Sequence, residues 1–265
     1  PVSLGMAKQL RKWLLYASAL VFSLALFLLI GIFFNWFGVY QGPGEIIELN
    51  KIISAPLEND ENNDEPLTKK ILFGDLHVHT TYSIDAFTLE LPMMGLQGVH
   101  DSAMACDFAR YCANLDFFSF NDHAESLTPD HWREQKEIVQ QCNISNNDPV
   151  TNDLVVFPGW EWTQIGTTPE NHWGHRNVIF KDIQDLPARP IGSRTPETGL
   201  GIFDTTQQAV AARWLDPLNF KRYSDLGWLL DTVRNIPFCD EGINSTELPL
   251  DCYEYARTPR DLFSK

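Results

Sequence analysis

Between Trp13 and Phe34 the chain reads WLLYASALVFSLALFLLIGIFF, 22 residues without a charged side chain. At about 1.5 Å per residue such a helix reaches roughly 33 Å, enough to cross the hydrocarbon core of a bilayer. Every face is apolar, so the segment has no polar side to offer water, as a surface helix would. The competing reading is a cleaved signal peptide, whose apolar region is ordinarily about 7–15 residues long and ends in small residues. Here the run passes into NWFGVY, aromatics of the kind found at membrane interfaces. We read an uncleaved transmembrane anchor over residues 13–39, after a cytoplasmic N-terminus at 1–12.

Lys8, Arg11 and Lys12 precede the span, and no Lys or Arg follows it until Lys51. The positive-inside rule then keeps the N-terminus in the cytoplasm and exports the rest to the periplasm or cell exterior. Met6, directly before AKQLRKW, reads as the initiator, with PVSLG as upstream read-through. Residues 40–68 are rich in Gly, Pro, Asn and acids. Such a composition buries too little apolar surface to fold and reads as an acidic flexible linker.

Across the whole chain 20 Lys and Arg face 35 Asp and Glu, a net charge of -15. That balance argues against nucleic acid or anionic lipid as a partner. It leaves room for a small phosphorylated substrate, because metal ions reverse the field inside an acidic site.

Residues 69–265 read as the soluble domain, with strands and helices in alternation. KKILFGDLHVHT (69–80) is a strand ending at histidines. Residues 102–115 place Met104, Phe108, Tyr111, Cys112 and Leu115 at helical spacing. LDFFSFNDH (115–123) is a second strand, Thr128-Pro129 opens a second helix, and LVVFPGWEW (154–162) is a third strand ending at Glu161. RNVIF (176–180) is a short fourth strand. This order predicts a parallel α/β fold with its chemistry at the C-terminal strand ends. A barrel is the leading form. A Rossmann-type sheet is the alternative, although no G-x-G-x-x-G follows a strand. Beyond residue 183 the pattern loosens into a long loop and two helices, TTQQAVAARWL and YSDLGWLLDTVRNI, an elaboration suited to roofing a site.

Histidine is scarce, seven in 265 residues, yet two stand in HVH. On an extended strand His77 and His79 point to one face, where two imidazoles can meet one ion. A lone histidine is more often a hydrogen-bonded core residue; two on one face at a strand end favour metal. Later strand ends add Asp122-His123, Glu161 and His175, a mixed nitrogen and oxygen set suited to Zn, Mn or Fe. Asp85 reads equally well as a further ligand or as a turn-capping residue. Asp75 and Asp122 are candidate orienters of the imidazoles or simple turn residues. Arg176 and Arg194 are candidate anion clamps, with a solvated arginine as the plainer reading of each. His172 competes with His175, which adjoins the strand, while His100 and His131 read as structural.

The motifs D-L-H-V-H-T…S-I-D, N-D-H, G-W-E-W and G-H-R-N-V together resemble the PHP (polymerase and histidinol phosphatase) metallohydrolase superfamily. FNDHAESLTPDHW and GWEWTQ are similar to an uncharacterised bacterial branch of it, a domain of unknown function. The motif match spans roughly residues 70–181. The resemblance implies a distorted (β/α)7 barrel, TIM-like, with up to three divalent ions. His77, His79 and bridging Glu161 would hold one ion, Glu161 and His175 a second, and Asp85 and His123 the third. The family pattern also needs a later histidine and a D-x-H, and no histidine follows His175. TPRDLFSK opens a helix with Thr258 as cap and Pro259 at its first position, then stops. Both features lead us to expect a C-terminally truncated PHP-like domain, weak in metal binding and without turnover by itself.

The leading functional expectation is a membrane-anchored, metal-dependent phosphoesterase acting on a small molecule through metal-activated water. A metal-dependent hydrolase of non-phosphate bonds and a non-catalytic exported binding module are the alternatives. No G-x-S-x-G elbow or P-loop supports serine or nucleotide hydrolysis. Of the five cysteines, Cys106 and Cys112 read as helix-face core, and Cys239 with Cys252 as a pair able to close a loop.

Overall fold

The computed structural model describes residues 2–34, 36–46, 71–90, 100–144, 154–184 and 186–265. It is a mixed α/β structure with one apolar N-terminal helix, and its contacts divide into two compact units. One comprises residues 1–40 and 206–229, the other 41–205 and 230–265.

The larger unit is built on three parallel strands in sequential order, β1 (Gly74–Val78), β2 (Phe117–Phe120) and β3 (Val155–Phe157). Between β1 and β2 lie α2 (Ile84–Glu90) and α3 (Ser102–Asp107), the latter continuing into a π-helical turn, Phe108–Cys112; α4 (Pro129–Ile144) connects β2 to β3. Thr128 opens α4 as its sequence predicts, its Oγ1 accepting from the His131 amide at 3.1 Å. Phe118, Phe120, Leu154 and Val156 pack against Ala103, Cys106, Ile138, Val139 and Cys142 to form a buried core.

The helix expected over 102–115 turns a different face inward. Ala103, Cys106, Ala109 and Arg110 are buried, whereas Met104, Phe108 and Tyr111 are exposed. Met104 already faces outward in α3, before the π-helical turn begins at Phe108, and the small residues Ala103 and Cys106 take the core-facing side. Cys106 forms a disulfide with Cys142, joining α3 to α4, and Cys112 is exposed. Cys106 is thus the helix-face core residue expected, cross-linked in addition, whereas Cys112 is not in the core.

Residues 154–162, expected as one strand, are two. Val155–Phe157 pair with β2, the chain breaks at Pro158, and β4 (Gly159–Gln164) pairs antiparallel with β5 (Gly174–Ile179). Proline offers no N–H to a ladder, which ends the first pairing. Gly159 allows the close turn: a Cβ there would lie 2.6 Å from the Val178 carbonyl oxygen and 2.8 Å from that of Phe120. β4 continues the layer beyond β2, since the Glu161 amide donates to the Asp122 carbonyl and the Ala124 amide to that of Glu161. The fourth strand is thus the return arm of a hairpin, not a parallel strand. No barrel closes among the described residues.

The loop predicted after residue 183 contains β6 (Ile191–Gly192), which pairs in parallel with β7 (Glu254–Tyr255). Buried Arg189 donates to Glu254 Oε2 at 3.0 Å and to the carbonyls of Ser245 and Leu248. Cys239 and Cys252 form a disulfide, as their spacing allows. Thr258 caps the four-residue α7 (Pro259–Leu262). Of the linker expected over 40–68, residues 47–68 lie outside the described residues. Its start is docked rather than free: the Pro43 carbonyl accepts from the Ala103 amide at 2.8 Å, and Ile46 packs on the core.

The smaller unit contains α1 (Val2–Phe33), α5 (Thr206–Leu215) and the start of α6 (Phe220–Asn235). Over Lys8–Phe33 α1 has a mean hydropathy of 2.4 and is almost wholly exposed, long and apolar enough to cross a membrane. The helix ends at Phe33, short of the expected boundary at 39, and the aromatics that follow form a turn and an extended segment. α6 buries Leu226, Leu229, Leu230 and Val233, the face its spacing predicts.

Candidate metal centre

Alternation along β4 sorts its side chains. Trp160 and Trp162 enter a core with Trp132, Leu127 and Tyr82, which leaves Glu161 and Thr163 on the other face. Across the hairpin Thr163 is paired with His175, so His175 shares that face. Alternation likewise brings His77, within β1, and His79, just after it, to one side. His123 follows β2 by three residues and is bridged to Glu161 in parallel register. Asp85 lies in the first turn of α2, where its carboxylate meets His123. Six residues far apart in sequence thus converge.

Glu161 is the hub, 1% exposed. Its Oε2 lies 2.7 Å from His77 Nε2 and 3.1 Å from His79 Nε2, while its Oε1 contacts His175 Nδ1 and accepts from the Thr163 hydroxyl at 2.7 Å. His123 Nε2 lies 3.0 Å from Asp85 Oδ2. Burial opposes charge on Glu161, but His79, His123, Thr163 and His77 together hold its carboxyl well below the usual range. Burial would also lower the His123 pKa; the carboxylates of Asp85 and Glu125 outweigh it and push the imidazole up to about 10. Asp85 is likewise held low by His123 and His79, against its own burial.

Three groups gather ligand atoms within 4.8 Å of one another: His77, His79 and Glu161; His79, Asp85 and His123; and His123, Glu161 and His175. Such clusters can hold a metal ion. The donor set fits a borderline divalent cation, and Asp85 Oδ1 is buried without a hydrogen-bond partner. Glu161 has two oxygens for two groups. His79 and His123 each also belong to two groups, yet a neutral imidazole offers one lone pair.

Other candidates fall differently. His172 contacts the Gly166 carbonyl on the surface, and His175, the residue favoured by its place at the strand, is the one beside Glu161. Asp75 accepts from the His77 amide at 2.9 Å and so holds backbone rather than an imidazole. Asp122 accepts from the Thr80 amide at 2.6 Å and from Gln135 at 2.8 Å; burial pushes its pKa up against the opposing pull of His79. Arg176 is exposed and donates to the His175 carbonyl. Arg194 is not solvated: it is 4% exposed, donates to the Val233 carbonyl and lies over the Tyr253 ring, 4.1 Å from its centroid, while its Nε and Nη2 are buried with no hydrogen-bond partner among the described residues. His131 is structural, stacked on Tyr82 at 4.2 Å.

Sequence reasoning missed three supporting residues. Glu125 is 2% exposed; its Oε1 accepts from the Ser193 amide at 2.7 Å and the Thr163 amide at 3.2 Å. Ser83 Oγ accepts from the His123 amide at 2.8 Å and lies 2.9 Å from His79 Nδ1. Thr163 Oγ1 lies 3.1 Å from His123 Nδ1 and 3.0 Å from His175 Nδ1. Glu125 stands two residues past His123 in NDHAE, the one local signal that marked it. From the looser region after 183, Phe203 reaches the site, its ring 4.9 Å from that of His123.

No curated protein and no solved structure matches the chain. Residues 66–128, about a quarter of the chain and the part that holds His77, His79, Asp85 and His123, match the family described as protein of unknown function (DUF3604).

Proposed function

We propose that the larger unit supplies the metal-binding part of a PHP-type, divalent-metal-dependent hydrolase, a phosphoesterase, anchored to a membrane by α1. Glu161 carries the reading. One buried carboxylate turns its two oxygens toward different histidines, an arrangement able to join two metal positions. The ligand candidates at and beyond the strand ends support a partial (β/α)7 barrel, with which the sequential parallel order β1-β2-β3 is compatible, as it is with the first half of a Rossmann sheet.

His77, His79 and Glu161 would hold one ion, Glu161 and His175 a second, and Asp85 and His123 a third. Divalent ions in such a set supply Lewis acidity and lower the pKa of water toward neutrality. The chain's own residues orient the donors: the Thr163 hydroxyl fixes Glu161, and Ser83 ties His79 to the His123 backbone. Export is supported by the basic residues before α1 and by two disulfides, which persist in oxidising compartments.

A hydrolase of non-phosphate bonds is the second reading, because Arg194, a candidate anion clamp, is only 4% exposed and packed over the Tyr253 ring. The test is calorimetric titration of the metal-stripped, detergent-solubilised chain with Mn2+, Zn2+ and Fe2+, with Glu161→Gln alongside. Phosphomonoesters, phosphodiesters and amides are then screened with the metal that binds. Saturable binding lost in the variant is expected; equal binding by both proteins would sink the metal reading. Amide turnover without ester turnover would select the second reading.

A further inference from the structure

Where the chain leaves α1 it lies against the turn between α5 and α6. Arg213, in the last turn of α5, donates to the Ile32 carbonyl near the end of α1. Phe220, at the start of α6, packs edge-on against Phe37 with centroids 6.2 Å apart. The contacts then climb together. The Val39 amide donates to Asp225 Oδ1 at 2.9 Å, and the Tyr40 ring lies 5.5 Å from that of Trp228. Gly38 permits this approach, since a Cβ there would lie 2.2 Å from the Ser224 carbonyl oxygen. The α5–α6 turn is thereby pinned on both sides at the level where α1 ends.

That turn is apolar and uncovered. Trp214 is 58% exposed, Leu215 75% and Leu218, in the 3-10 turn Pro217–Asn219, 94%. Its polar groups are paired locally: Asp216 accepts from Asn219 at 3.0 Å and from the Tyr223 hydroxyl at 2.7 Å, and Lys221 pairs with Asp225. Phe34 and Trp36, on the neighbouring exit of α1, are also exposed.

We propose that the α5–α6 turn is a second, non-spanning membrane contact, with Trp214, Leu215 and Leu218 set into the headgroup and acyl boundary beside α1. The proposal rests on the reading of α1 as a span. Satisfied polar groups let the turn enter without stranding donors, and aromatics with leucine suit that depth. Arg213, Lys221 and Arg222 are nearly balanced by Asp216 and Asp225, so the contact is apolar rather than electrostatic and needs no anionic lipid.

The test places one nitroxide at a time in the full chain, in a Cys112→Ser background and in phosphatidylcholine vesicles, at Leu218→Cys, Leu20→Cys or Gln208→Cys. Leu20 is mid-span, and Gln208 is exposed about 10 Å along α5 from Leu215. The expected result is a label at 218 shielded from a water-soluble nickel chelate and open to oxygen, its accessibility ratio several-fold above that at 208. Adding phosphatidylglycerol should leave it unchanged. A label at 218 as wet as that at 208, with 20 immersed, overturns the proposal alone; a wet label at 20 removes the span and the proposal together. Shielding seen only with phosphatidylglycerol refutes an apolar contact. Shielding with dipolar broadening that disappears on dilution with unlabelled chain assigns the surface to a second copy and also overturns it.

Discussion

Oε2 of Glu125 lies 3.6 Å from Nδ1 of His123 and has no hydrogen-bond partner among the described residues. Backbone amides hold Oε1 of the same carboxylate, and the Thr163 hydroxyl oxygen, 3.1 Å from His123 Nδ1, is placed to accept an Nδ1–H with Oε2 of Glu125 beside it. That tautomer would leave Nε2, 3.0 Å from Asp85, free to bind an ion, and so would favour grouping His123 with Asp85 over Glu161. Glu125→Gln should lower the His123 pKa from its position near 10, read by NMR titration of the metal-free protein. Metal affinity should fall by about 10–100-fold, measured by calorimetry. An unchanged imidazole pKa would contradict this role.

His131 is expected to make stability depend on mild acid. Burial holds its pKa down to about 4, with the coulombic pull of Asp130 and a backbone hydrogen bond opposing that shift only in part. The folded state therefore keeps a neutral ring that the unfolded chain protonates below about 6.5. Its contribution is whole above that pH and is lost as pH falls toward 4, on the order of 3 kcal/mol in all. Urea unfolding of the wild type and of His131→Phe, at pH 7 and pH 5, should show a smaller pH loss in the variant.

The disulfides should rank by the loops they close. Cys106 and Cys142 are 36 residues apart in sequence and Cys239 and Cys252 are 13 apart. Chain-entropy reasoning assigns about 4 and about 3 kcal/mol. Replacing each pair by alanine and comparing urea midpoints under oxidising conditions checks both order and size. A null effect at Cys106 and Cys142 would contradict their place in the core of the larger unit.

Arg189 and Glu254 form a buried ion pair at 3.0 Å, each 2% exposed or less. Removing Arg189 leaves the buried Glu254 carboxylate with only the Ser245 hydroxyl and the Lys265 ammonium at 3.5 Å to offset its charge. Arg189→Ala should therefore destabilise the protein by about 3–5 kcal/mol, whereas replacing both by apolar residues should cost much less. A double-mutant cycle in urea separates the two cases.

Much of the candidate site was legible in the sequence because its signals are local. HVH on a strand shares a face by alternation alone, and Thr128 and Thr258 mark helix starts through bonds within three residues. What remained hidden depends on pairing at a distance. Nothing near RNVIF tells a return arm from a parallel strand, since that follows from the break at Pro158 and the partner across the hairpin. Glu125 and Thr163 look like ordinary polar neighbours until β4 sets them against His123. Arg194 looks solvated until Tyr253, far along the chain, arrives beneath it.

The covalent tie between α3 and α4 also bears on the order of assembly. In a chain delivered N-terminus first, Cys106 and Cys142 both emerge before Glu161 and His175. The cross-link can close around β2 while two of the six ligand candidates are still to come. The hairpin that carries Glu161 and His175 would then add to a foundation already locked, and an oxidant, rather than a cation, would act first on the nascent domain.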